Sequence, residues 1–268
     1  MDAKQAPAGH HLRPALVLGL VRRVRWLTGT GLSILGWPLQ VVALMLAPLV
    51  VVQPALAFGL VVLMFLGERM LDEHAGRYEH LAMAAIILGV VGAAVFAPPR
   101  STTTGAQPLT ITLVLVGLGF ISLLPYILRT IGHPHPELTM VCAGVAFGWS
   151  GVATKLASDD LAAHHLWAAA AWGVSTAAAS AVGVLSEMSA LQARPAIQVA
   201  PVVFVTQTVV PVVLALAILG ENLGATPLEG LPLILSLAVT CAGAGALARS
   251  PLLLALMEDD LVLSLIHI

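Results

Sequence analysis

The feature that most constrains this chain is a stretch of 42 residues, from Trp26 to Gly67, that contains no charged side chain. A helix rises about 1.5 Å per residue, so about 20 apolar residues cross a hydrocarbon layer roughly 30 Å thick. The stretch is twice that length, and Ala47-Pro48 near its centre favours a break between two helices. We therefore expect a helical hairpin with helices over 29–47 and 48–66.

The rest of the chain is also too apolar for a protein in water. Hydrophobic residues make up 59% of the 268 positions and charged residues only 10%, with a mean hydropathy of +0.96. Soluble domains carry about 25% charged residues. We therefore predict an all-α polytopic bundle of about eight transmembrane helices in a lipid bilayer. The six further helices are expected over 80–96, 109–128, 138–157, 166–185, 199–219 and 231–247.

The positions of the basic residues predict the orientation in the membrane. Lys and Arg concentrate in cytoplasmic loops of membrane proteins. With the N-terminal end inside, ten of the 12 Lys and Arg residues fall in inside segments, and only Arg100 and Lys155 fall outside. We predict a multi-pass protein of the cell membrane, plasma or inner, whose N-terminal end is cytoplasmic. The net charge of −2 gives no reason to expect a nucleic-acid partner.

An internal repeat appears when the chain is shifted by 153 residues. The shift aligns 47–98 with 200–251 without a gap and gives twelve identities in 52 positions, including both Ala-Pro pairs and both Leu-Gly-Glu triplets. An odd number of crossings separates equivalent helices, so we predict two inverted-topology repeats, with a substrate site near the midplane. We assign 1–108 to an incomplete first repeat, 109–251 to the second, and 252–268 to a tail.

The two ends of the chain suggest that the reading frame lacks its true start and ends in residues that are not part of the gene. The helix over 138–157, shifted back by 153 residues, would precede residue 1, so the first repeat lacks its opening helix. We interpret this as a fragment, with a genuine eight-helix protein as the alternative. The codons that can encode residues 263–268 match a transposon end used in sequencing libraries, and we interpret these six residues as a sequencing artefact.

Several segments resemble the drug/metabolite transporter superfamily, in its EamA-like and magnesium-transporter-like (NIPA-type) branches. The resemblance rests on Ala43-Leu44-Met45-Leu46-Ala47-Pro48, Gln53-Pro54, Leu66-Gly67-Glu68-Arg69, Gly148-Trp149-Ser150-Gly151-Val152-Ala153-Thr154-Lys155 and the block from Pro201 to Glu221. It implies a secondary transporter that moves a small-molecule substrate by alternating access, with no bound cofactor. It leaves a homodimer open. Members of this superfamily carry nine or ten helices, so the absent first helix is a departure.

Amides within the spans are the first candidates for substrate contact. An unpaired amide is costly in hydrocarbon, so Gln40, Gln53 and Gln207 are expected to bind a solute or to join helices by hydrogen bonds. Gln53 and Gln207 occupy nearly equivalent places in the two repeats. Pro54 and Pro211 stand close to them and are expected to kink their helices, which frees backbone carbonyls.

Ionisable and aromatic side chains are the second set of candidates. Lys155 is expected either to face a central cavity, attracting an anion or pairing with Glu187, or to snorkel to the outer interface from a helix end. Glu187 is expected to be a proton-coupling carboxylate or merely the polar end of a helix. Trp149, and with it Trp172, is expected to stack on substrate or to pack between helices.

Two other function classes are weaker alternatives. A magnesium transporter needs oxygen ligands, usually carboxylates, and only Glu187 lies near a predicted helix. An intramembrane enzyme would use His133, His135, His164 or His165, but no carboxylate accompanies these at metal-site spacing. No phosphate-binding loop points to an ATPase. We therefore expect neither an enzyme nor a metal site.

Overall fold

A computed structural model describes residues 24–59, 61, 62, 65, 76–99, 107–131, 135–194, 196–221, 224, 226–247 and 249 of the chain. These residues are helical, with no strand among them. We label the helices α1 (Val24–Leu46), α2 (Leu49–Ala55), α3 (Arg77–Val95), α4 (Pro108–Thr130), α5 (Pro136–Ala162), α6 (Leu166–Ala193), α7 (Ala196–Ala217) and α8 (Leu231–Leu247); a short 3₁₀ turn, Pro227–Gly230, precedes α8.

Six of the described helical segments are long and apolar enough to cross a membrane. They are Arg77–Val95, Leu109–Thr130, Pro136–Ala162, Leu166–Ala193, Val199–Ala217 and Pro227–Leu247. Large apolar side chains on their outer faces are exposed, including Leu81, Leu88, Leu113, Val116 and Phe120. Such a surface is rare on a soluble monomer and suits lipid. The chain is therefore a multi-pass helical protein with the character of a membrane bundle.

The hairpin in the charge-free stretch differs from the expected pair of equal helices. The helix α1 ends at Leu46, and Pro48 holds an extended backbone before α2 begins at Leu49. The helix α2 is only seven residues long, because Pro54 lacks the amide hydrogen that would extend its hydrogen bonding. A turn at Leu56 and Ala57 follows α2, and the described residues 58, 59, 61, 62 and 65 are helical again, within the span expected over 48–66. The predictions for residues 1–23 and 66–75 and for the 252–268 tail lie outside the described residues.

The helix α5 forms the centre of the bundle. In its apolar stretch 78% of the residues are buried, against 22–39% in the other five long helices. It packs against α1, α4, α6 and α7. Its most extensive contact is with α6, and the next is with α7. Small residues make this possible, because Gly144 and Gly148 let α7 approach where a Cβ would overlap Thr206 and Val210. The central helix is therefore the helix whose side chains are most enclosed by the rest of the fold.

The helices α3 and α8 form a second tight pair. A Cβ at Gly89 would overlap Thr240 of α8, and a Cβ at Gly243 would lie 2.8 Å from the Ala82 carbonyl of α3. Higher numbers on one helix thus meet lower numbers on the other, so the two run antiparallel. Contacts between small residues and backbone of this kind fix the register of two membrane helices.

Candidate functional site

Glu221 ties the connection after α7 to the break between α1 and α2. Gly220 adopts a φ of 78°, a left-handed conformation that glycine accepts without strain, and this turns the chain away from the end of α7. The Glu221 side chain is fully buried. Its carboxylate accepts hydrogen bonds from the backbone N–H groups of Leu49, at 2.6 Å, and Val50, at 3.1 Å. The carboxylate therefore satisfies two donors that the first turn of α2 leaves unpaired.

Lys155 and Asp159 lie one helical turn apart on α5 and form a buried ion pair. The Lys155 ammonium donates to both Asp159 carboxylate oxygens, at 2.6 and 2.7 Å. The Lys155 side chain is 1% exposed. The helix continues to Ala162, so Lys155 is not at a helix end, and the expectations that it snorkels outward or pairs with Glu187 are both wrong. Lys155 instead forms its ion pair with Asp159, on the same helix.

Lys155, Asp159 and Glu221 form one electrostatic unit, which we call the charge cluster. Burial raises the pKa of the Glu221 carboxyl. The two backbone donors and the Lys155 charge lower it, and the Asp159 charge raises it again. One ammonium and two N–H groups thus face two carboxylates, of which that of Glu221 is fully buried and that of Asp159 is partly exposed. Sequence analysis did not select Asp159 or Glu221 as site residues, although the repeated Leu-Gly-Glu triplet was a signal for Glu221.

Gln53 and Pro211 meet at Gly151 on the central helix, one turn from Lys155. Gln53 is 4% exposed, and its amide nitrogen occupies the space that a Cβ at Gly151 would fill. The Pro211 ring lies 3.7 Å from the same position. Gln53 and Pro211 come from the α2 and α7 segments, so this part of the predicted amide and proline site is brought together on α5.

The other two predicted amides lie elsewhere. Gln40 is half-buried in α1, and Gln207 is half-buried in α7, one turn before Pro211. Neither is among the atoms nearest to Gly151. Gln53 thus shares the space beside Gly151 with Pro211, and the facing pair of Gln53 and Gln207 stays a prediction.

A line of hydroxyl groups joins α5 to α1 and α6. Thr154 accepts a hydrogen bond from the Trp37 indole at 3.3 Å and lies 3.3 Å from the Thr176 hydroxyl. One turn earlier, the Ser150 and Ser180 hydroxyls are 2.8 Å apart. These contacts place polar groups next to Lys155 on a second face of α5. Small hydroxyl residues are common at helix contacts, so sequence alone did not distinguish them.

The two tryptophans line an apolar cavity of about 250 Å³ between α4, α5 and α6. The Trp149 ring packs 3.5 Å from the position of a Cβ at Gly119, and its indole N–H is buried without a partner among the described residues. The Trp172 indole donates to Asp160 at 3.0 Å. The cavity lining consists of Thr112, Leu115, Val116, Gly119, Trp149, Trp172 and Ser175. Val116 is largely exposed, so the cavity opens towards the outer face of the bundle.

Glu187 lies inside α6, which runs to Ala193 and so does not end near this residue as expected. Its side chain is half-buried. The neighbouring Ser186 hydroxyl lies 3.0 Å from the Tyr126 hydroxyl of α4. The reading of Glu187 as the polar end of a helix is therefore wrong, and its coupling role stays a prediction.

The described residues contain no group of three or more His, Cys, Asp or Glu side chains that could hold a metal ion. His135, His164 and His165 are exposed, and His165 lies 3.4 Å from an Asp160 oxygen. His133 lies outside the described residues. These three histidines are at the surface, and His165 contacts Asp160, the residue that follows Asp159.

Comparisons with known proteins add no relative. No family model, no curated protein and no solved structure matches this chain. What the structure supports is a multi-pass helical protein of membrane character, with the charge cluster near the end of its most buried helix.

Proposed function

We propose that this chain is a secondary transporter of small polar solutes, of the drug/metabolite transporter type, working by alternating access. The observation that carries the proposal is the charge cluster of Lys155, Asp159 and Glu221. Insertion scales put a charged residue at a helix centre about 2.5–3.5 kcal/mol above an apolar one. Lys155 and Asp159 lie nearer the end of α5, where this cost is smaller, but Lys155 is still enclosed by the fold. A bundle built only for stability would fill this space with leucine. Charges kept inside a membrane fold therefore favour a role in moving a solute or a proton.

The charge cluster joins segments that a transporter would have to separate. Leu49 and Val50 follow the break after α1, Glu221 follows α7, and Lys155 belongs to the central helix. The basic-residue pattern would put this end of the bundle outside. We infer that the Glu221 contact with α2 closes the outer end, and that loss of this contact opens it. Pro48 precedes α2 and Pro54 lies in its last turn, so a proline is available as a hinge at each end of this short helix.

The packing of α3 on α8 supports two inverted repeats. The 153-residue shift moves Gly89 to position 242 and Ser236 back to position 83. The corresponding contact in the structure joins Gly243 to Ala82, one residue from each of these positions. The match of the two contacts follows from antiparallel packing, and antiparallel packing of two helices that the shift makes equivalent is what a pseudo-twofold axis in the membrane plane requires.

The solute path that we propose runs along α5. Gln53 offers an amide beside Gly151, and the hydroxyls of Ser150, Thr154 and Thr176 line the adjacent face. These groups donate and accept hydrogen bonds without adding charge. They suit a small polar metabolite, and the charge cluster would supply the ionic contact or the coupling proton.

The test is flux into proteoliposomes that contain the purified chain, with a panel of polar metabolites and Mg²⁺. We expect gradient-dependent flux of an organic solute, reduced at least tenfold in Glu221→Gln. The matched control is Glu137→Gln. Glu137 lies on the same central helix as Lys155, and its exposed carboxylate pairs with Arg194, which follows α6. Flux of Mg²⁺ alone would favour a magnesium transporter instead. Absence of any flux from a folded protein would overturn the proposal.

A further inference from the structure

A groove of about 460 Å³ lies between α7 and α8, at the end of the bundle where α3 begins and α8 ends. It shares no residue with the charge cluster or with the cavity beside Trp149. We call it the α7–α8 groove. Its lining residues are Tyr78, Pro201, Val202, Val205, Thr206, Cys241, Ala242, Gly245, Ala246 and Arg249.

The inner part of the groove is an apolar slot. Val202 and Val205 form one wall, and Ala242 and Ala246 form the other. Gly245 leaves the slot open, because a Cβ at this position would have no atom within 4 Å. The slot therefore presents an apolar surface, with small residues on one side and branched ones on the other, that can take a hydrocarbon chain.

The mouth of the groove is polar and positively charged. Tyr78 and Arg249 are both exposed there, and Arg77 is exposed beside Tyr78. None of the residues that line the groove is acidic. Glu79, the nearest acidic residue along α3, is buried, and its carboxylate lies against Gly76.

The mouth also lies at the depth of lipid headgroups. The apolar stretch of α8 ends at Leu247, and Arg249 follows two residues later. Tyrosine and arginine at the end of a membrane helix are typical of the headgroup region. An apolar slot that continues into a positive mouth at this depth matches a molecule with an acyl chain and an anionic head.

We propose that the α7–α8 groove binds an anionic phospholipid. The acyl chain lies along the slot past Gly245, and the phosphate contacts the Arg249 guanidinium and the Tyr78 hydroxyl. The zwitterionic lipid phosphatidylcholine fits the slot equally well but gains less at the mouth. One arginine at an anionic surface contributes about 1 kcal/mol, which is a preference of about fivefold.

The first test is native mass spectrometry of the full chain released from nanodiscs of equal phosphatidylglycerol and phosphatidylcholine. We expect retained phosphatidylglycerol to exceed phosphatidylcholine about fivefold. Arg249→Gln should bring the ratio close to one, and Gly245→Leu, which fills the slot, should remove both lipids. The control is Arg129→Gln, in the last turn of α4 and outside the groove, which should leave the ratio unchanged. Equal retention in the wild type would overturn the proposal.

The rate at which a thiol reagent modifies Cys241 can report whether the groove is occupied, because Cys241 lines the groove. The other cysteine of the described residues, Cys142, is buried in α5. We expect a lipid-soluble maleimide to modify Cys241 more slowly in phosphatidylglycerol vesicles than in phosphatidylcholine vesicles. Arg249→Gln should abolish the difference. Equal protection in both vesicles would mean that something other than an anionic lipid, such as residues 250–268, covers the groove, and it would contradict the proposal.

Discussion

The central helix carries an ion pair near each end, and the two pairs have different environments. Near its start, Glu137 pairs with Arg194, and both side chains are substantially exposed, at 62% and 40%. Near its end, Lys155 pairs with Asp159, at 1% and 17% exposure. Exposed pairs contribute little, because water screens the charges. A buried pair is held by its surroundings, and removing one partner strands the other charge. We therefore expect the Lys155–Asp159 pair to contribute more to stability and function than the Glu137–Arg194 pair on the same helix.

The largest expected effect follows from removing the buried ammonium. Lys155→Met strands Asp159 next to Glu221, so we expect the free energy of unfolding to fall by about 3 kcal/mol. Equilibrium unfolding of the purified protein in mixed micelles measures this change. The double variant Lys155→Met/Asp159→Leu removes both charges and should recover most of the loss. A single variant as stable as the wild type would mean that the pair is not buried.

Close packing around the central helix gives the next effect. A Cβ at Gly144 would lie 2.5 Å from the Thr206 Cβ and 2.9 Å from the Val203 carbonyl, so Gly144→Ala forces α5 and α7 apart. We expect a loss of about 1–3 kcal/mol in the same unfolding assay. Gly117→Ala on α4 is the control, since its Cβ would meet no atom within 4 Å. Equal stability of the two variants would contradict the proposed position of α7.

Titration of Glu221 gives a smaller effect with a defined sign. Burial raises its folded pKa above the ordinary carboxyl value of about 4.3, so the folded protein holds a proton that the unfolded chain has lost. The free energy of unfolding should therefore fall as pH rises from that value through the folded pKa. Glu221→Gln should flatten this part of the profile. Unfolding followed across that pH range tests it, and an unchanged slope in the variant would show that another group titrates.

The smallest effect belongs to the exposed pair. Glu137→Gln removes a surface ion pair and should change the free energy of unfolding by less than about 1 kcal/mol. The change should shrink further in 0.5 M salt, because screening acts on exposed charges first. If Glu137→Gln matched Lys155→Met, burial would not distinguish the two ends of α5.

Composition and the length of the uncharged apolar stretches predicted the helical, membrane-like character of the chain, because a long apolar segment has few other stable structures. The break at Ala47-Pro48 was also visible, since proline cannot continue the hydrogen bonding of a helix. The turn at Leu56 and Ala57, after which the helical backbone resumes, was not, because tertiary context decides where a chain breaks after Pro54. Eight spans and the inverted repeat stay predictions, and six of the described segments meet the length and hydropathy of a span.

The site was predicted less completely than the fold. Lys155 and Gln53 stood out as polar residues in apolar surroundings, and both are buried. Asp159 was missed because it follows the predicted helix end at residue 157, whereas α5 continues to Ala162 and brings Asp159 one turn beyond Lys155. Glu221 was missed as a ligand because its partners are backbone groups, Leu49 and Val50, 172 and 171 residues away along the chain. Sequence carries no local signal for a contact between a side chain and a distant backbone.

The most direct test of the central claim is solute flux through the double variant Lys155→Met/Asp159→Leu, reconstituted beside the wild type and Glu137→Gln. If the buried pair serves transport, the double variant will fold and insert normally and yet lose flux at least tenfold, while Glu137→Gln keeps the wild-type rate. A double variant that is folded and transports at the wild-type rate would show that the pair is structural, and it would contradict the account.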